Sequence, residues 1–217
     1  MKTGIPFALA LSVLLGSGCM GGFAGRETKN STANVYRAAV ALPATLRRVA
    51  VLPLTTDSID LTMAEGRDVL QPVLFTELSK TREFELVFVS PAQLRAVTGR
   101  AEWNAEETLP LDFFARLHEA FGCDAAIFCR LGRFRAYPPL AVGWDLKLVD
   151  GNQRKVVWAI DEVFDAGDPA VVSAARDYYE RGVHTDAPLA DPSSILLSPR
   201  RFGQYAASAA LSTLPSR

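Results

Sequence analysis

The chain has 217 residues and a mass of 23.5 kDa, with 23 Lys+Arg against 24 Asp+Glu, 49% hydrophobic and 22% charged residues. This balance excludes a disordered polyelectrolyte, a collagen-like polymer and a polytopic membrane protein. A formal charge of −1 and a pI near 6.1 argue against a nucleic-acid partner, which would demand a basic surplus.

Residues 1–18 read as a signal peptide. Lys2 precedes an apolar run from Ile5 to Leu15, about half of the roughly 20 residues that a membrane-spanning helix needs. Gly16, Ser17 and Gly18 lead into Cys19, an arrangement that resembles the bacterial lipobox, in which the cysteine becomes the first residue of the mature chain. Small side chains suit a narrow peptidase pocket, and the cysteine thiolate is the group that takes the diacylglyceryl unit. Cys19 is therefore the expected lipid-attachment residue, palmitate being among the acyl groups; an ordinary secretory signal cleaved elsewhere is the competing reading. Residues 19–34 are poor in large apolar side chains and read as a lipidated flexible tether, leaving 35–217 as a single α/β domain. Several acyl chains anchor durably where one binds only marginally. Met20, with no Asp after the cysteine, resembles lipoproteins sorted to the outer membrane, which would turn the domain toward the periplasm.

Loss of residues 1–18 removes Lys2, making the mature chain one unit more negative, and leaves Cys123 and Cys129 as the thiols. Six positions apart in one expected strand, their Cα atoms would be roughly 20 Å apart, beyond the about 7 Å that a disulfide tolerates. Two buried, unbridged thiols are expected, pointing the same way along the strand and too far apart to share a metal ion.

In chain order, Arg48 to Leu54 is an aliphatic run expected to be a strand buried on both faces. Thr62 and Glu65 form a capping-box pattern at the head of a helix over 62–80. Its stripe is Val69, Leu70, Val73, Leu74 and Leu78, with a bend or weak point at Pro72. Phe84 to Val89 gives a second strand, and Ser90-Pro91 opens a short helix over Leu94 and Val97 that ends at Gly99. Leu111, Phe114, Leu117 and Phe121 mark a third helix, stopping at Gly122, and Cys123 to Phe134 a third strand.

Leu140, Val142, Trp144, Leu146 and Leu148 then alternate with smaller or polar residues, as do Val156, Trp158 and Ile160 beyond Asp150-Gly151. Keeping both sets on one face requires an odd loop. A three-residue loop of Val149, Asp150 and Gly151, with Gly151 left-handed, would place Trp144 opposite Val156, Val142 opposite Trp158 and Asp145 opposite Lys155. Asp168-Pro169 starts a helix carrying Val171, Val172, Ala175, Tyr178 and Tyr179 and ending at Gly182; after a loop over 183–197, Ser198-Pro199 starts another with Phe202, Tyr205, Ala206 and Ala209. The order β-α-β-α-α-β-β-β-α-α predicts an α/β sandwich of two or three layers, its mixed sheet of about five strands closing on a C-terminal antiparallel hairpin.

The successions RRVAVLPL (47–54), LFTELSKTREFELVFVSPAQL (74–94) and FGCDAAIFCRL (121–131) resemble the small α/β domain of the curli-secretion lipoproteins, of lipoprotein activators of penicillin-binding proteins, and of the Tol-system propeller protein at its N-terminus. VVWAIDEVFDAGDPAVVSAARDYY (156–179) is similar to bacterial lipoproteins of this kind. The resemblance implies a non-enzymatic envelope protein that binds an envelope protein partner, often as a homo-oligomer. The chain departs from the curli-secretion members in being short and without extra hairpins for a membrane-spanning barrel.

Three functional readings follow. The first is a lipid-anchored binding or assembly module with no cofactor or metal. The second is a subunit of an oligomeric secretion complex. The third is a small hydrolase using His184 with Asp186, Asp191, Ser193 and Ser194. His118 reads as a partly exposed helix residue. The adjacent acids Glu106-Glu107 and Asp161-Glu162 read as solvated pairs rather than a glycosidase couple. Arg130, Arg133 and Arg135, with Arg200-Arg201, are either a patch for an anionic partner or charge scattered over a balanced surface. Tyr137-Pro138-Pro139 reads as a rigid exposed turn, either a partner contact or a plain connection.

Overall fold

The computed structural model describes residues 1, 32–56, 60–183 and 191–217. Residues 2–18 of the expected signal peptide, Cys19 and the expected tether through residue 31 lie outside these residues, as do His184 and Asp186.

The strands are β1 (Val35–Arg37), β2 (Arg48–Thr56), β3 (Glu85–Phe88), β4 (Ala125–Arg135), β5 (Ala141–Asp150) and β6 (Lys155–Asp165). They form one mixed sheet ordered β1-β6-β5-β4-β2-β3, in which β2 runs parallel to β3 and β4 while the other pairs are antiparallel. The helices are α1 (Leu61–Thr81), α2 (Pro91–Thr98), α3 (Phe113–Phe121), α4 (Pro169–Val183) and α5 (Pro199–Leu211), with a 3-10 turn over Pro192–Leu197. The class is the expected α/β one. The sixth strand, β1, escaped the sequence because three residues carry no readable period.

Local chemistry explains most boundaries. Asp60, not Thr62, caps α1: its carboxylate accepts the Thr62 N–H at 3.0 Å. The helix runs unbroken through Pro72, which is exposed, so the carbonyl lacking a donor lies on the solvated side. Leu70, Leu74 and Leu78 are fully buried, but Val69 is 42% exposed, one helical step off the stripe. Gly66 sits where a Cβ would lie 2.5 Å from the Phe134 ring. Ser90 and Gln93 close a reciprocal capping box on α2, and Gly99 and Gly122 end α2 and α3 at φ values of 85° and 67°. In α3 the buried pair is Phe113 and Leu117, with Phe114 marginal and Leu111 exposed. Asp168 accepts the Ala170 N–H at 2.8 Å at the start of α4, which continues one residue past Gly182.

The β5–β6 register departs from expectation. Leu148 faces Trp158, Leu146 faces Ile160 and Trp144 faces Glu162, while Asp145 faces Asp161 rather than Lys155. The turn is longer than three residues because the Asp150 carboxylate accepts the N–H groups of Asn152 and Gln153 at 2.8 and 3.0 Å. The left-handed residue is Arg154 (φ 54°), not Gly151. A bulge between Leu148 and Val149 restores the apolar face that an odd loop was expected to preserve. Gly151 is needed for closeness instead: a Cβ there would stand 2.8 Å from the Asp124 carbonyl oxygen.

The helices make three layers. A large cluster, including Val49, Val51, Leu74, Trp144, Trp158 and Phe202, fills the space between the sheet and α1, α4 and α5. Gly203 of α5 lets α1 approach, since a Cβ would meet Leu70 Cδ2 at 2.2 Å. A smaller cluster, including Leu52, Leu94, Phe113, Leu117 and Phe128, lies on the other face under α2 and α3. Cys123 and Cys129 are buried and unbridged as expected. They do not point the same way: Cys129 belongs to the large cluster and Cys123 to the small one. Cys123 precedes β4, so strand alternation does not extend to it.

Candidate functional site

The small cluster ends at Val149 and Val156, which leaves half of one sheet face without a helical cover. Strand alternation puts Tyr36 of β1, Ala159, Asp161 and Val163 of β6, Asp145 and Lys147 of β5, and Arg130 and Arg133 of β4 on this face. Tyr36 is 54% and Val163 44% exposed.

At the end nearer the β5–β6 turn, the face sinks into an open hollow of about 630 Å³ lined by Tyr36, Ala38, Pro43, Ala105, Val156 and Ala159 together with Lys147 and Lys155. The segment after β1 forms one wall because Leu42 and Leu46 are buried in the large cluster and the Leu42 N–H bonds to the Ser216 carbonyl at 2.9 Å. Lys147 pairs with Glu106 across the hollow and lies 3.8 Å from Asp145.

Farther along, the charges are paired side by side. Arg130 donates from Nε and Nη2 to Asp145 Oδ2 at 2.9 and 2.5 Å, and Asp145 is only 5% exposed. Arg135 bonds to Asp165 at 2.6 Å and to the Pro139 carbonyl. The Arg133 side chain has no hydrogen bond or ion pair among the described residues. The arginine group thus resolves into two compensated cations and one uncompensated one. On α5, Arg201 stacks over Tyr179 at 5.7 Å and donates to Ser194 Oγ at 3.2 Å.

The other candidates are engaged elsewhere. Asp191 caps the 3-10 turn, accepting the Ser193 N–H and hydroxyl at 2.8 and 2.5 Å, and these bonds hold its carboxyl below the usual carboxylate value. His184 itself lies outside the described residues, so that set has no geometry here. His118 Nδ1 lies 3.0 Å from the Cys123 carbonyl at the α3–β4 junction. Glu106 and Glu107 serve separate cations, Lys147 and Arg100. Asp161 and Glu162 sit on opposite faces of β6, and Glu162 accepts the N–H groups of Ala33 and Asn34. Burial pushes the Cys123 thiol up to about 11 and the Cys129 thiol higher still, so both rest protonated at neutral pH. Among the described residues no three His, Cys, Asp or Glu side chains could hold a metal ion, and no helix is long and apolar enough to cross a membrane.

The hollow went unread in the sequence. Its one trace is the run of small residues at Ala38, Ala39 and Ala41, with Ala159 among the bulky residues of β6.

No family model and no curated protein matches the chain. Among solved structures it is similar to the PelC dodecamer from Paraburkholderia phytofirmans, at 12% identity over 85% of this chain and 99% of that one, TM-score 0.42. It is also similar to lipoprotein GNA1162 from Neisseria meningitidis, at 16% identity over 64% and 97%, TM-score 0.41. A third is the LpoB C-terminal domain from Escherichia coli, at 14% over 59% and 86%, TM-score 0.34. The resemblance to lipoprotein domains drawn from the motifs is met again in these neighbours. At such identity and overlap it extends to no partner, assembly state or activity.

Proposed function

We propose that this chain is a lipid-anchored envelope protein whose α/β domain, over 35–217, is a non-enzymatic binding or assembly module for an envelope protein partner. In this reading residues 1–18 are the signal peptide, Cys19 carries the acyl groups, residues 19–34 are the tether, and the domain faces the periplasm from the outer membrane. The observation that carries it is the bare half-face of β1, β6 and β5 with its hollow. Two of the cations there are held by carboxylates, as Arg130–Asp145 and Lys147–Glu106. A fixed charge pattern beside an apolar hollow selects a partner by complementarity rather than by chemistry. Anchoring would raise the effective concentration of that surface for other envelope components.

Two measurements test the reading. Radiolabelled palmitate should enter the native chain and not Cys19→Ser; labelling of neither, or of both alike, overturns the anchor. A photocrosslinker at Ala159 in intact cells should capture a specific protein that the same group at exposed Glu119 does not. Equal capture at the two positions overturns the docking surface, and capture of a second copy would favour the assembly role.

A further inference from the structure

We infer that the free edge of β3 pairs antiparallel with the β3 of a second copy of this chain, joining two sheets into one across a two-fold axis at Val87. β3 lies at the opposite edge of the sheet from β1 and the hollow. This contact and the docking surface proposed above are therefore separate, and the failure of either leaves the other standing.

The backbone leaves the edge open. β3 is bonded on one side only, to β2. The Glu85 N–H donates to the Arg47 carbonyl at 2.9 Å and the Val89 N–H to the Val51 carbonyl at 3.0 Å. That alternation turns Glu85, Val87 and Val89 toward β2 and points the N–H and C=O of Leu86 and Phe88 out of the sheet. Among the described residues no hydrogen bond reaches those outward groups.

The side chains do not protect it. Sheet edges are normally blunted by shortness, charge, proline or a bulge. β1 is three residues long and ends on Arg37, which donates to the Thr213 carbonyl at 2.6 Å. Residues 84–89 instead read Phe-Glu-Leu-Val-Phe-Val without proline, and the register of β3 with β2 is unbroken. The charge they hold, Glu85, lies 3.5 Å from Arg48 of its own chain. Phe88 stays 39% exposed even though its ring lies 4.7 Å from that of Phe75.

The edge also matches itself. With the axis on Val87, Leu86 stands opposite Phe88 of the second copy, and Phe88 opposite its Leu86, as hydrogen-bonded pairs. Val87 then faces Val87 as the non-hydrogen-bonded pair between them. Leu86 packs on the large cluster and Val87 on the small one, so apolar side chains meet apolar ones on both faces of the joined sheet. Glu85 falls opposite Val89, and no like charges meet. A foreign strand could use the same backbone groups, but the side-chain match on both faces selects this chain.

The test is disulfide trapping on the purified full-length chain. In this register the two Val87 Cα atoms stand about 4.5 Å apart, within the span of a disulfide, whereas the two Glu85 Cα atoms are offset by roughly 13 Å of strand. Under mild oxidation V87C should form a covalent dimer and E85C should not exceed the background of the native chain. Equal trapping of the two variants, or none of V87C, overturns the pairing. Without any added cysteine, the native chain should sediment as a dimer. F88K, which sets a charge opposite Leu86 of the second copy, should weaken that dimer by roughly tenfold or more while keeping the native circular dichroism. A native chain that stays monomeric at high concentration, or a larger assembly that V87C does not trap, also overturns it. If F88K does not fold, V87C, a replacement of similar size at a half-buried position, decides by itself.

Discussion

The two faces of the sheet differ in how they are closed. One is roofed along its whole width by α1, α4 and α5 over a continuous cluster that includes both Trp144 and Trp158. The other is roofed only over β2, β3 and part of β4, where α2 and α3 sit on Phe113, Leu117 and Phe128. Where the roof stops, the buried aromatic cluster gives way to small and charged residues with Tyr36 and Val163 exposed among them, and Arg130 and Lys147 pair with Asp145 and Glu106 instead of packing against a core. The roofed face is where stability resides; the bare half is where the surface is free to meet something else.

Substitutions can break this contrast. The largest effect is expected at Trp158→Ala, which should cost about 3–5 kcal/mol in denaturant unfolding. The two tryptophans sharpen the point. Trp158 Nε1 donates to Thr213 Oγ1 at 3.0 Å, whereas the buried Trp144 Nε1 has no acceptor among the described residues. Trp144→Phe should therefore cost clearly less than Trp158→Phe, because only the latter removes a buried hydrogen bond, leaving the Thr213 hydroxyl with its own bond to the Ala210 carbonyl; equal costs would refute the assignment. On the bare half, Asp145→Asn should cost about 1.5–3 kcal/mol by weakening a charge-assisted bond to Arg130. Ser90→Ala, which opens the α2 capping box, should cost about 1 kcal/mol.

A smaller effect over the accessible range concerns the thiols. The Cys123 pKa rises from 9.0 to about 11 on burial, so the unfolded chain releases its proton first. The contribution of this thiol is constant well below pH 9 and declines as pH climbs from about 9 toward 11. A pH series of melts should show a shallower decline in Cys123→Ala than in the native chain, the remaining slope coming from Cys129, whose thiol burial raises further, and alkylation at pH 8 should be slow until denaturant is added. Val163→Ser, on the bare face, should shift stability by no more than about 0.5 kcal/mol.

Legibility followed locality. The strand at 48–54 and the caps at Ser90, Asp168 and Ser198 were readable because each is settled by residues within one turn. The cap of α1 was misread by two positions because Asp60 and Thr62 are both competent, and only the path of the chain selects between them. The hairpin register was misread for a similar reason: a three-residue loop and a longer turn plus a bulge both keep the apolar residues on one side. The Asp150 carboxylate, bonding to the turn N–H groups, decides for the longer one. Of the site, Arg130, Arg133 and Arg135 were visible as a group, but not that Asp145 and Asp165 neutralise two of them. Those partners lie 15 and 30 positions away.

By itself the sequence determined the α/β class, the order of the major elements and the burial of both thiols, since hydrophobic period and capping are properties of short segments. The tertiary structure alone decided where the second roof ends, which of Arg130, Arg133 and Arg135 lacks a carboxylate among the described residues and that Ala38, Pro43 and Ala159 enclose one hollow. These depend on which strands become neighbours, and strand neighbours are chosen by packing across the whole sheet, not by any pattern a short window contains.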